Sequence, residues 1–360
     1  MEKMVKTISK VNPRFWKNKK VFLTGHSGFK GSWTSIWLSN MGAIVKGFSL
    51  PPNIHPNLFE EAKISEHINS EFGDIRDFNV LKKSMISFSP EIIIHMAAQP
   101  LVRKSYEDPI ETYTTNVIGT LNVLEIATKH TDVKTILIIT TDKCYENNEM
   151  NIGFKESDPM GGHDPYSSSK GCCELLVSSY RRSFCINANS PKIASVRAGN
   201  VIGGGDWSND RLIPDILKAF QNNNKVLIRN PQSIRPWQHV LEPISGYFLL
   251  IEKLFISEND FSEAWNFGPD YDDCKSVMWI TKKLCSLWGN NAKWDIDKSQ
   301  NPHEAGFLKL DYTKAVNRLG WVPKWNINFS LKQIVQWHKK WLDNEDVYRE
   351  CIEQIKLYSK

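Results

Sequence analysis

Short apolar runs alternate with longer stretches of helical period along the first two hundred residues. Val21-Phe22-Leu23, which follows the charged Lys17, Lys19 and Lys20, reads as a first strand, and Ala43 to Phe48 as a second. Ile92-Ile93-Ile94, Ile136 to Ile139 and Ile193 to Val196 are short and apolar throughout. Strands look like this when both faces of the sheet are covered. Between them, Phe29 to Met41 and the long stretch from Pro109 to Lys129 carry helical patterns. Pro165 is placed to open a further helix, since proline is tolerated in a first turn. Strand and helix in alternation predict a parallel α/β sheet.

After about residue 200 the alternation weakens, and Gly203-Gly204-Gly205, Pro231, Pro236, Trp237, Pro269, Trp321 and Pro323 punctuate shorter elements. The expected organisation is a doubly wound parallel sheet of Rossmann type over residues 1–200, with a smaller mixed α/β lobe over most of 201–360. A segment near 236–262 is expected to return to the first domain. Ile334, Trp337 and Trp341 fall at helical spacing, so the last 30 residues read as one amphipathic helix whose aromatic stripe is core packing. No repeat and no low-complexity linker interrupts the chain, which predicts packed lobes.

Composition narrows the partners. With 45 basic and 40 acidic residues the net charge is +5, without a long basic run, and the Lys17, Lys19 and Lys20 cluster reads as a solvated edge. This weighs against nucleic acid as a ligand. The first 20 residues lack an apolar targeting core, and no run reaches the ~18 apolar residues of a membrane span. The seven cysteines show no C-x-x-C spacing, and Cys172 and Cys173 are adjacent. That pattern suits neither a zinc clamp nor a disulfide framework, so a reduced, cytoplasmic protein without a metal site is expected.

Gly25-His26-Ser27-Gly28-Phe29-Lys30-Gly31 lies between the first strand and its helix. Glycines there permit a tight turn and close backbone approach, and the helix N-terminus offers N–H groups to a pyrophosphate. Dinucleotide binding is therefore expected, with Gly25, Ser27, Gly28, Phe29, Lys30 and Gly31 as its cradle. The carboxylate expected at the end of the second strand is missing: the chain reads Gly47-Phe48-Ser49-Leu50-Pro51. Ser49 can bond a ribose, more weakly than an acid would. No arginine follows for a 2′-phosphate, so NAD is favoured over NADP. Asp74 and Ile75 can frame the adenine, or the segment Gly73 to Asp77 can simply cap the next helix.

The densest chemistry is Thr140-Thr141-Asp142-Lys143 at the end of an apolar run, followed 23 residues after Lys143 by Tyr166-Ser-Ser-Ser-Lys170. On a helix Tyr166 and Lys170 share a face. Tyrosine with a pKa near ~10 is a poor base alone, and a lysine one turn away favours the phenolate and can bond a nicotinamide ribose. Thr141 is placed to orient a substrate hydroxyl that Tyr166 deprotonates. Asp142 and Lys143 are otherwise a surface ion pair at a strand end. Neighbours in a strand point to opposite faces, so both reach one substrate only if the chain leaves strand geometry after Thr141.

Beyond these groups the chain resembles the extended short-chain dehydrogenase/reductases, and among them the nucleotide-sugar 4,6-dehydratases that act on CDP-glucose. The resemblance runs over nearly the whole length. It is carried by Phe15-Trp16, Thr24-Gly-His-Ser-Gly-Phe-Lys-Gly-Ser-Trp33, His95-Met-Ala-Ala-Gln-Pro-Leu-Val102 and Thr141-Asp142-Lys143 with Tyr166 and Lys170. Val196 to Trp207, Arg211-Leu-Ile-Pro-Asp215 and Arg235-Pro-Trp-Gln-His-Val240 extend it. Other dehydratases of this kind carry Asp-Glu where this chain has Asp142-Lys143, and epimerases have no such pair.

The resemblance implies three steps in one site: oxidation at C4, loss of water across C5 and C6, and return of the hydride to C6. It assigns Asp142 as the acid and Lys143 as the base. It also implies that Arg211 and Arg235 grip the diphosphate, that Asn200 binds the sugar-linked phosphate or ribose, and that Gln99 and Arg103 line the cofactor or sugar pocket. Ala97 and Ala98 would contact NAD, and Asn116 would be the structural asparagine that holds a water near Lys170. A homodimer through the helices at 109–129 and 165–184, or a tetramer, is expected. An epimerase or reductase using only Thr141, Tyr166 and Lys170, or a non-catalytic NAD(H)-binding scaffold, are the alternatives.

Overall fold

A computed structural model describes residues 8–147, 152–256, 261–289, 292–297 and 308–360. Six strands precede residue 200: β1 (Lys20–Thr24), β2 (Ile44–Ser49), β3 (Asn69–Phe72), β4 (Ile92–His95), β5 (Thr135–Ile139) and β6 (Lys192–Ala198). With the later strand Ala264–Phe267 they form one parallel sheet, ordered Ala264–Phe267, β6, β5, β4, β1, β2, β3. The strand order reverses between β1 and β4, which opens a crevice at their carboxyl ends.

Alternation along the strands builds two cores. Phe22, Ile93, Ile136, Ile138 and Ile193 face the helices that run Phe78–Phe88, Gly119–His130 and Pro165–Ser183. Their neighbours Val21, Leu23, Ile92, Ile94, Leu137 and Val196 face the other way. There they meet Trp33 and Trp37 of the helix Phe29–Asn40 and Phe248 of the helix Leu241–Ile256. A third core, with Ile213, Leu217, Phe220, Leu284 and Ile334, belongs to the second lobe. The chain thus leaves the sheet domain after β6, contributes to the second lobe, and returns with Leu241–Ile256 and the edge strand Ala264–Phe267. Among the described residues no helix is long and apolar enough to cross a membrane.

Two helical stretches differ from the sequence pattern. The region from Pro109 is Pro109–Tyr113, a π-helical turn at Thr114–Ile118, and Gly119–His130. A widened turn of this kind accommodates one extra residue, and here it holds Asn116 fully buried. The C-terminal stretch is two helices, Ile327–Leu342 and Val347–Ser359, divided at Asn344, which takes a positive φ of 58°. Asp346 caps the second by accepting from Arg349 N, so the polar run Asp343 to Asp346 is turn and cap rather than helix. Trp337 is fully buried and packs edge-to-face on Trp207.

Candidate active site

Four loops converge at the switch point. The turn after β1 takes φ +77° at Gly25, and a Cβ there would stand 2.7 Å from the Ala97 nitrogen of the β4 loop. A Cβ on Gly31 would meet the Gly25 carbonyl oxygen at 2.0 Å. Only glycine at both positions lets the helix Phe29–Asn40 begin this close to both strands, with Gly28 at its N-cap. These are the proportions of a pyrophosphate cradle.

Ser27 and Ser49 are bonded to each other at 2.8 Å, and the Ser49 hydroxyl also meets His26 Nδ1 at 3.0 Å and donates to Leu50 O. His26 packs its ring against Gly47, where any Cβ would collide with it at 2.3 Å, and holds Ser70 through Nε2. Burial pushes the His26 imidazole down to about 4, so it is neutral. A buried imidazole under the second strand is the feature that stands where a ribose-binding acid was sought, and the sequence reading passed over it. Asp74 is clamped by Arg76 through two bonds of 2.8 and 2.6 Å, while Asp77 is the residue that caps the helix Phe78–Phe88. Ile75 is buried against Gly119.

Beyond β5 the backbone passes Thr141 in an extended conformation and then turns through Asp142–Cys144 as a single 3₁₀ turn. The turn brings together side chains that strand geometry would separate: Thr141 Oγ1 donates to Asp142 Oδ1 at 3.0 Å, and Lys143 Nζ lies 3.5 Å from the same oxygen. Asp142 is fully buried, and its Oδ2 has no hydrogen-bond partner among the described residues. That oxygen rests against Gly199, where a Cβ would stand 2.0 Å away. Lys143 is one-third exposed.

The helix Pro165–Ser183 starts with Asp164 accepting from Ser167 N and Pro165 at its first position. It carries Tyr166 and Lys170 into the site, both buried. Burial raises the Tyr166 phenol to about 12, with Thr141 and the Arg211 charge pulling the other way. Burial also lowers Lys170, whose Nζ donates to Ile139 O at 3.3 Å. Lys30, on the first turn of the cradle helix, is the least expected cation here. It is pushed down to about 7 by burial, with Arg211 and Lys170 adding and Asp142 opposing. The Arg211 charge, from the second lobe, is thus felt at both Lys30 and Tyr166.

Asn116 binds Gln99 at both backbone groups, 2.8 and 3.1 Å, and donates to Ser169 Oγ at 2.9 Å. This fixes the β4 loop, with Ala97 and Ala98, to the catalytic helix. The Gln99 amide is itself spent on Leu101 and Thr112, so it braces the loop and does not present its donors to a ligand. Arg211 pairs with Asp206 at 3.2 Å, and Arg103 with Asp210 at 3.4 Å, which also holds Arg229. Arg103 thus ties the β4 loop to the second lobe. Arg235 is buried and donates to Ile234 O. Asn200 has a φ of 21°, a conformation strained for a non-glycine residue, and its buried Oδ1 has no partner among the described residues.

Behind Lys170, one helical turn on, Glu174 is buried and bonds Thr140, Ser195 and Arg197 at 2.5, 2.8 and 2.8 Å. The Arg197 charge and these bonds hold its carboxyl below the usual range against the cost of burial. Its i+4 spacing from Lys170 was the available signal for this residue, and it anchors the strand end that carries Thr141.

Comparison with known proteins matches this geometry. The family model described as GDP-mannose 4,6 dehydratase matches residues 22–334. The chain is 54% identical over 341 residues to the CDP-glucose 4,6-dehydratase of Salmonella typhimurium, covering 94% of this chain and 95% of that one. In fold it is similar to the UDP-glucose 4-epimerase of Thermotoga maritima, solved with UDP-glucose. The TM-score is 0.79 at 23% identity, over 89% of this chain and 99% of that one. It is similar likewise to the dTDP-glucose 4,6-dehydratase of Bacillus anthracis in complex with NAD, with TM-score 0.75 and 22% identity, over 92% and 99% of the two chains.

Proposed function

This chain belongs to the GDP-mannose 4,6 dehydratase family, and we propose that it dehydrates CDP-glucose to CDP-4-keto-6-deoxyglucose with NAD as a recycled cofactor. The observation that carries this reading is the turn that gathers Thr141, Asp142 and Lys143 beside Tyr166 and Lys170. An enzyme that only moved hydride at C4 would need no buried acid and adjoining amine there. The choice of CDP-glucose rests on likeness to the Salmonella typhimurium enzyme.

The cradle at Gly25, Gly28 and Gly31 fits the NAD pyrophosphate, and Lys170 is positioned for the nicotinamide ribose. When bound, NAD accepts the C4 hydride and later supplies it to C6. Tyr166 takes the O4 proton, with Thr141 holding that hydroxyl and Lys170 and Arg211 favouring the phenolate. The resulting 4-ketone acidifies C5. Lys143 removes the C5 proton as Asp142 gives one to the departing C6 hydroxyl, and Lys143 gives its proton back to C5 as the hydride returns to C6. The Oδ2 of Asp142, without a partner among the described residues, is the oxygen left for the C6 hydroxyl. Arg211 and Arg235 hold the diphosphate, the former released from Asp206 as substrate enters. Asn200, with its free buried oxygen, supports a sugar or ribose contact.

A homodimer, or a tetramer built from it, is supported by exposed Ile110, Ile118 and Leu175 on the two helical stretches that flank the site. Seven free cysteines support a cytoplasmic setting.

CDP-glucose deuterated at C4 tests the reaction. Label recovered at C6 of a 4-keto-6-deoxy product is expected. Label kept at C4 of an inverted sugar would mean epimerisation, and label released in free NADH a simple dehydrogenase. Lys143→Met is expected to slow elimination by about 10²-fold or more while C4 oxidation persists as NADH absorbance. Full-rate elimination in that variant would remove Lys143 as the base.

A further inference from the structure

A cavity of about 670 Å³ opens on the other side of Glu174. Its walls are the later turns of Pro165–Ser183, the sheet edge at β6 and Ala264–Phe267, and the loop around Glu156. None of the residues assigned above to cofactor, substrate or catalysis lines it. Its size falls in the roughly 300–1,000 Å³ range of small-molecule sites.

Three hydrogen-bond donors on its lining residues have no acceptor among the described residues: Nη1 of Arg181, Nε of Arg197 and Oγ of Ser262. Arg197 is 3% exposed, so its unmade bond is not left to bulk water. Two guanidinium groups face one carboxylate here. Glu174 is already engaged by Arg197, Thr140 and Ser195, and makes no bond to Arg181. Of the other acids on the lining, one is paired with cations and two accept a single backbone N–H each. Glu263 pairs with Lys314 and Arg318, a Glu156 carboxylate oxygen accepts from Asn266 N, and Asp158 accepts from Lys155 N. Burial holds the Arg181 guanidinium below its ordinary value despite Glu174, in keeping with a charge short of partners. What this lining leaves unsatisfied among the described residues is therefore three N–H and O–H donors, on walls where acids and bases are equal in number.

We propose that this cavity is a second ligand site, which binds a phosphate group through Arg181, Arg197 and Ser262. A tetrahedral oxyanion supplies several acceptors, enough for these three donors, and the remaining volume leaves room for an organic group attached to it. The site is one helical turn from Lys170, and through Glu174 and Thr140 it adjoins the strand end that bears Thr141.

Thermal unfolding in inorganic phosphate, against chloride at equal ionic strength, tests the proposal. A saturable rise in Tm is expected for the natural protein and for Arg211→Met, in which phosphate capture by the substrate site is weakened. Arg181→Met is expected to bind at least about 10-fold more weakly. Should Arg181→Met fail to fold, Ser262→Ala carries the comparison, with an expected loss of several-fold. Glycerol 3-phosphate in a parallel titration separates the sources: tighter binding than inorganic phosphate means a phosphorylated metabolite, and equal binding means free phosphate. The proposal is overturned if no saturable rise occurs. It is also overturned if the rise disappears in Arg211→Met but survives in Arg181→Met, or if Ser262→Ala and a folded Arg181→Met both bind like the natural protein.

Discussion

Gly199 has no chemistry of its own, yet the position of Asp142 depends on it. Its missing side chain leaves the space in which Asp142 Oδ2 lies, 2.0 Å from where a Cβ would be. Gly199→Ala must therefore push the carboxylate or the backbone aside. We expect kcat to fall at least about 10-fold, with a stability loss of about 1–3 kcal/mol and little change in cofactor affinity. Steady-state kinetics with a cofactor titration check this; an Ala variant with natural kcat would mean that Asp142 need not sit where it does. At this scale much of the site was legible. Thr141, Asp142, Lys143, Tyr166 and Lys170 are local in sequence, and local patterns betray local geometry. Lys30 was read only as part of the phosphate turn. Its approach to Arg211 and Tyr247 spans some 180 to 217 positions, which no spacing rule reports. Gln99 was read as a ligand group because its neighbours are, and only its bonds to Leu101 and Thr112 reveal it as a brace.

The helix Pro165–Ser183 presents in succession Tyr166 and Lys170 at the candidate site, Glu174 with its bonds to Thr140, Ser195 and Arg197, and Arg181 on the wall of the cavity. Glu174 is the hinge of that series. Removing one partner of a buried ion pair strands the other, which costs about 3–5 kcal/mol. Glu174→Ala is accordingly expected to lose that much in urea unfolding, and a loss below about 1 kcal/mol would show that Arg197 finds water or another acid. Elements were easier to foresee than their interruptions. The strand runs and the opening at Pro165 follow from period and proline chemistry. The π turn at Asn116 does not, because it is imposed by what Asn116 must reach, Gln99 and Ser169, rather than by any residue in the turn. The break at Asn344 was present as a polar run, but the tryptophan spacing before it masked the cap at Asp346.

Both ends of the described chain are held by one helix, Leu241–Ile256. Glu252 accepts from Asn12 N and Trp16 Nε1, and Glu242 from Lys324 N, Trp325 N and the Tyr358 hydroxyl. Burial raises both carboxyls to about 7 from an ordinary 4.5. The folded state thus prefers them protonated. Their contribution is present in full below about pH 4.5, and it is lost as pH rises from there to about 7. Denaturation midpoints at about pH 5 and about pH 8 should differ less in a Glu242→Gln, Glu252→Gln double variant than in the natural protein. Equal differences would mean that neither carboxyl titrates in this window. The layering of the whole molecule was readable from strand and helix alternation. The partner of each lobe was less so, since burial of Phe248 under the sheet joins positions far apart in the chain. The late edge strand has one more consequence, for synthesis. As the nascent chain emerges, β6 is made near residue 198 but its neighbour only at 264–267. Until the ribosome has delivered that stretch, the β6 edge stays open and the face awaiting Phe248 stays bare, so the first two hundred residues cannot complete their fold in the order in which they are made.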